Sequence, residues 1–110
     1  MKIAVLLKSK PYTDETARAL QTVSDLLSSG HDVTLYLLQE AVRFCQPRAE
    51  SPDSLQLQAL IDNGLEVYAL DSDTKLRGID TAFIDQDIME GSYDSLVELM
   101  ESCDRVVGIL

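Results

Sequence analysis

The sequence predicts an α/β fold, a three-layer αβα sandwich around a mostly parallel sheet of about five strands. Two observations carry this. KIAVLL at residues 2–7 is a continuous apolar run, the mark of a strand covered on both faces, and further apolar runs follow at 33–38 and 65–70. Between the runs, apolar residues recur at three- and four-residue steps, so strands alternate with helices and the crossovers are expected to be right-handed.

Each element has its own signal. After the break at Lys8-Ser9-Lys10-Pro11, Thr13 or Asp14 can cap a helix whose buried stripe is expected to be Ala17, Leu20, Val23 and Leu27, with Leu26 beside them. Ser28-Ser29-Gly30 ends it, since glycine accepts the left-handed conformation of a helix stop. Val33 to Leu38 reads as the second strand. A short helix is expected over Gln39 to Cys45, with Ala41, Val42 and Cys45 on one side. The stretch 46–53, QPRAESPD, reads as a loop, and Ser51 before Pro52 opens a helix that turns Leu55, Ala59 and Leu60 inward and stops at Asn63-Gly64. A third strand runs from Leu65 to about Leu70. Short helices near Thr74–Arg77 and Thr81–Ile84 and a short strand near Asp87–Met89 are expected next. Ser92 caps a last helix, with Tyr93, Leu96, Val97 and Met100 inward, and DRVVGIL at 104–110 closes the sheet.

Composition narrows the function classes. The 110 residues suit one domain, spanning 1–110, with 45% hydrophobic and 25% charged residues. A formal net charge of −10, from 19 acidic against 9 basic side chains, repels phosphate backbones and anionic lipid surfaces, so neither nucleic acid nor membrane is an expected partner. No stretch approaches the roughly 20 apolar residues of a membrane helix, and the first apolar run is too short for a secretory core. A cytoplasmic location is expected. Cys45 and Cys103 then read as thiols rather than a disulfide, and one His with no CxxC or HxxxH spacing leaves no metal site. No cofactor is implied.

In such a sheet the loops at the strand C-terminal ends converge, and chemistry is sought there. Three segments qualify. KSKPYTDE places Lys8 and Lys10 before a helix N-terminus, but without the glycine that would let backbone wrap a phosphate. QEAVRFCQP places Cys45 near Arg43 and Arg48, cations that favour a thiolate; the plainer reading is a buried small side chain. VYALDSDTKLRGID at 67–80 offers Asp71, Ser72, Arg77 and Gly78, with Arg77 able to meet an anionic sulfur or carboxylate group, or else Asp71 or Asp73 merely caps a helix. Cys103 and His31 belong to the opposite, N-terminal edge.

KIAVLL with a proline in the following loop, SSGHDVTLYLL, the EAV segment, NGLEVYAL…RGI and CDRVVGIL occur in an order and spacing that resemble the DsrE/TusD-like sulfur-relay family along nearly the whole chain. The resemblance implies the same α/β fold. In sulfur-transferring members a cysteine after the third strand, seven residues before the Arg of an Arg-Gly pair, carries a persulfide and hands sulfur to a partner protein. Here Arg77 and Gly78 are kept, but counting back from Arg77 reaches Leu70, with Asp71 its nearest polar neighbour. An alkyl side chain offers no sulfur nucleophile.

Two readings follow. One is a sulfur-relay protein lacking the usual cysteine, acting as a partner subunit or as a carrier through Cys45. The other is an assembly or binding module that holds a small anion with Lys8, Lys10, Asp71, Ser72, Arg77 and Gly78. An ordinary enzyme lacks support, since no carboxylate pair, triad or metal cluster stands out. The resemblance also implies a homo-oligomer (dimer, trimer or hexamer) and a sulfur-relay partner protein. Ala82-Phe83-Ile84 and Ile88-Met89 are the expected subunit contact, and two of the four tyrosines are expected to face the core or a neighbouring helix.

Overall fold

The computed structural model describes residues 1–45, 52–79 and 87–109. The elements run β1 (Lys2–Leu7), α1 (Asp14–Ser28), β2 (Asp32–Leu37), a 3-10 helix (Gln39–Cys45), α2 (Pro52–Asp62), β3 (Glu66–Leu70), α3 (Asp71–Leu76), β4 (Ile88–Gly91), α4 (Tyr93–Ser102) and β5 (Arg105–Ile109). The expected 81–84 helix, the Ala82–Ile84 contact, Arg48 and most of the 46–53 loop lie outside the described residues.

All five strands are parallel, in the order β4-β3-β2-β1-β5. Strand alternation sends two sets of side chains to opposite faces. Ile3, Val5 and Leu7 of β1, Val33, Leu35 and Leu37 of β2, and Val67 and Ala69 of β3 pack on one face with Ala19, Leu20 and Val23 of α1 and Leu57 and Leu60 of α2. The second face carries Leu6, Tyr36, Tyr68 and Leu70 against Leu96 and Leu99 of α4. The αβα layering is as the sequence predicts.

Helix faces differ from expectation in instructive ways. In α1 the fully buried stripe is Thr16, Ala19, Leu20 and Val23, and Ala17 is exposed. Thr16 can go inside because its hydroxyl donates to the Lys10 carbonyl at 2.8 Å, which satisfies a buried polar group. Thr13 is the cap, its hydroxyl oxygen accepting from the Thr16 N–H. In α2 the inward pair is Leu57 and Leu60, not Leu55 and Ala59; Leu55 is 55% exposed. A two-residue step turns a helix by about 200°, so Leu55 and Leu57 cannot share a face. In α4, Ser92 forms a reciprocal capping box with Ser95, and Leu96 is buried. Tyr93, Val97 and Met100, expected inward, are 62%, 50% and 40% exposed. Among the described residues, what this ten-residue helix packs against the sheet is the Leu96–Leu99 ridge. Tyr36 is buried and Tyr68 half-buried, while Tyr12 and Tyr93 face outward. Of the pair expected at a subunit contact, Ile88 is buried and Met89 exposed.

Candidate functional site

The strand C-terminal ends form one edge, where the loop after β2 stands between the loops after β1 and β3. Beyond β1, Lys8 and Lys10 are exposed, and Thr13 and Thr16 pin the loop by donating hydrogen bonds to the Lys10 carbonyl. Tyr12 turns the chain with φ of 71°.

Beyond β2, Gln39 adopts φ of 50°, uncommon for a residue with a Cβ. Its N–H donates to Asp73 Oδ2 at 2.7 Å, which fastens this loop to α3. Glu40 follows, accepting from Arg43 Nε on one carboxylate oxygen and from Arg77 Nε, 3.0 Å away, on the other. Arg77 also reaches Asp73 Oδ1 at 3.5 Å. The Arg77 and Asp73 side chains are only 15% and 16% exposed, so this contact is largely shielded from water. Hydrogen bonds from Arg43 first, then Arg77, hold the Glu40 carboxyl below its ordinary range.

Two guanidiniums meet two carboxylates, so Arg77 is already neutralised by Glu40 and Asp73. Lys8 and Lys10, exposed beyond β1, are separated from the Arg77 cluster by the loop after β2. Asp71 and Ser72 open α3, and Gly78, with φ of 66°, ends it by donating its N–H to the Lys75 carbonyl. Gly78 serves a helix stop, the use for which glycine is favoured.

Leu70 ends β3 and is 1% exposed, packed with Tyr36, Leu38 and Leu96 on the second face. Cys45 is 2% exposed and belongs to the core on the first face. The thiol that a carrier needs at the surface is therefore inside the fold, because the 3-10 helix turns Ala41, Val42 and Cys45 together toward the sheet. Cys103 caps the end of α4 at the opposite edge, half-buried. Among the described residues, no group of His, Cys, Asp and Glu is placed to hold a metal ion.

One feature escaped the sequence reading. Tyr36 and Tyr68 are register partners on β2 and β3, and their rings stack with centroids 5.6 Å apart and planes within 9°. The Tyr36 hydroxyl lies 3.1 Å from the Ser92 carbonyl and 3.0 Å from Ser95 Oγ. Burial is the main reason its phenol is held above the ordinary value. Beside the pair a cleft of about 370 Å³ opens between the sheet and α4, lined also by Glu66, Glu98, Leu99 and Ser102. The signal was available: each tyrosine stands two residues before the last apolar residue of its run, an equal offset that pairs them in a parallel sheet.

Comparisons with known proteins agree with this architecture. The structure is similar to YchN of Escherichia coli, with a TM-score of 0.84 and 22% identity over 99% of both chains. It is also similar to the protein of unknown function MTH1491 of Methanobacterium thermoautotrophicum, with a TM-score of 0.80 and 13% identity, covering 96% of this chain and 97% of that one. In sequence, the uncharacterized protein MK0008 of Methanopyrus kandleri is 28% identical, covering 96% of this chain and 91% of its own. The model of the DsrE/DsrF-like family matches residues 1–108, and the chain belongs to that family.

Proposed function

We propose that this chain is a non-transferring subunit of a sulfur-relay-type assembly. Membership of the DsrE/DsrF-like family supports a sulfur-relay-type protein in general. The observation that carries the finer reading is Leu70. It stands where the resemblance expects the persulfide cysteine, and it is 1% exposed among apolar neighbours, so the position serves packing. Burial of Cys45 argues against a relocated carrier, because a thiolate must be reached to attack a sulfur donor. The small-anion reading is disfavoured by the pairing of Arg77 with Glu40 and Asp73.

Such a subunit acts through surfaces. Tyr93, Val97 and Met100 on α4, with Met89 on β4 and Val106 on β5, are exposed apolar side chains that favour self-association or a relay partner. The deciding experiment is intact mass after incubation with a persulfide donor. We expect no gain of a sulfur atom in the wild type or in Cys45→Ser. A gain in the wild type that vanishes in Cys45→Ser overturns the reading.

A further inference from the structure

The cleft beside Tyr36 and Tyr68 is lined by no cysteine among the described residues, and its walls are of a recognisable kind. We infer that the cleft between the stacked Tyr36–Tyr68 pair and α4 is a binding site for an alkylammonium or guanidinium group, with Glu66 and Glu98 as its counter-charges.

The aromatic wall is built in advance. Tyr36 is 1% exposed, and its hydroxyl is held by Ser92 and Ser95, which fixes the ring. Tyr68 lies flat against it and is half-buried. Register continues the row from Leu6 through Tyr36 and Tyr68 to Met89. Tyr36 backs this wall and the half-buried Tyr68 presents it, so an alkyl chain can lie against Tyr68, whose ring attracts a cation. Glu66, two residues before Tyr68 on the same strand, points to the same sheet face and stands in register with Thr34. Glu98 reaches the cleft from α4.

Charge complementarity gives the sign. Among the described residues, no Lys, Arg or His lines the cleft and neither Glu66 nor Glu98 has an ion-pair partner. The nearby cleft that shares Glu66, Leu99 and Ser102 adds Lys2 and Asp32, one charge of each sign, and leaves the balance unchanged. A chain carrying a net charge of −10 also draws cations toward it. A volume of about 370 Å³ exceeds the needs of a four- or five-carbon amine, and equally those of a Lys or Arg side chain on a peptide.

The probes are 1,5-diaminopentane and agmatine for a free ligand, an end-blocked Gly-Lys-Gly peptide for a side chain, and 1,5-pentanediol as the neutral control. Amide shifts in two-dimensional NMR at low salt report position and affinity. Expected are saturable shifts centred on Glu66, Tyr68 and Glu98 with the cations and none with the diol. Glu66→Gln and Glu98→Gln, both at exposed positions, should each weaken binding about two- to fivefold. Tighter binding of the amines assigns a free ligand, and tighter binding of the peptide assigns a partner's side chain. Absence of saturation, equal shifts with the diol, or affinity unchanged in the double Glu variant overturns the inference.

Discussion

Gly91 ends β4 directly beneath the Tyr36 hydroxyl, and Gly91→Ala tests how rigidly that tyrosine is held. A Cβ at residue 91 would stand 1.9 Å from the Tyr36 Oη, 2.8 Å from its Cζ and 2.9 Å from Ser95 Oγ. A flexible side chain could yield, but Tyr36 is buried, stacked on Tyr68 and bonded to Ser92 and Ser95. The methyl must therefore displace the ring or the α4 cap. Overpacking costs about 1–3 kcal/mol and each lost hydrogen bond about 1 kcal/mol, so Gly91→Ala should destabilise by about 3 kcal/mol. Tyr36→Phe should cost only about 1 kcal/mol, because Ser92 and Ser95 keep their reciprocal cap bonds. Removing the hydroxyl also removes the closest of the contacts. The double variant should then lie at about 2–3 kcal/mol, less than the sum of about 4 kcal/mol. Urea unfolding followed by circular dichroism measures all four proteins. Strict additivity, or a cost below about 1 kcal/mol for Gly91→Ala, refutes a rigid Tyr36.

Two further predictions concern the helix face and the charge cluster. Leu57→Ala should lose about 2–5 kcal/mol and Leu55→Ala less than about 0.5 kcal/mol in the same urea assay; comparable losses would place α2 in a different rotation. Glu40, held below its ordinary value of 4.5, contributes stability that is full above that value and is lost as pH falls through the lowered one. Wild-type stability should therefore fall more steeply than that of Glu40→Gln on acidification below about pH 5, and parallel curves would mean that the arginine contacts do not persist in solution.

The first three strands and the layering were legible because β1 to β3 are short apolar runs set off by segments carrying Gly, Pro or Asn. Helix rotation was less so. In α2, Leu55, Leu57, Ala59, Leu60 and Ile61 offer apolar residues all round, and only the sheet beneath selects Leu57 and Leu60. In α4 the sequence supplies more apolar residues than one ridge can bury. At the site, Arg77 was visible as a cation but its neutralisation was not. Glu40 lies 37 residues away in sequence, and only the adjacency of the loops after β2 and β3 joins them. Cys45 was placed on the correct helix side, yet that side proved to be the core. The departure at Leu70 was readable from spacing; the apolar packing around it needed the strand order.

The strand order also has a temporal meaning. β1 lies in the interior of the sheet, flanked by β2 and β5, and Ile3 is paired with Arg105. During synthesis β1 can meet β2 early, whereas its other edge has no partner until β5, about a hundred residues later, has emerged. The Lys2 N–H to Asp104 Oδ2 bond and the Asp104 N–H to Lys2 carbonyl bond close that seam, joining residues 102 positions apart. Non-local closure of this kind slows folding and leaves a bare strand edge on the nascent polypeptide. Synthesis of β5 thus supplies the segment that shields β1, and chains halted before β5 would present that edge to one another.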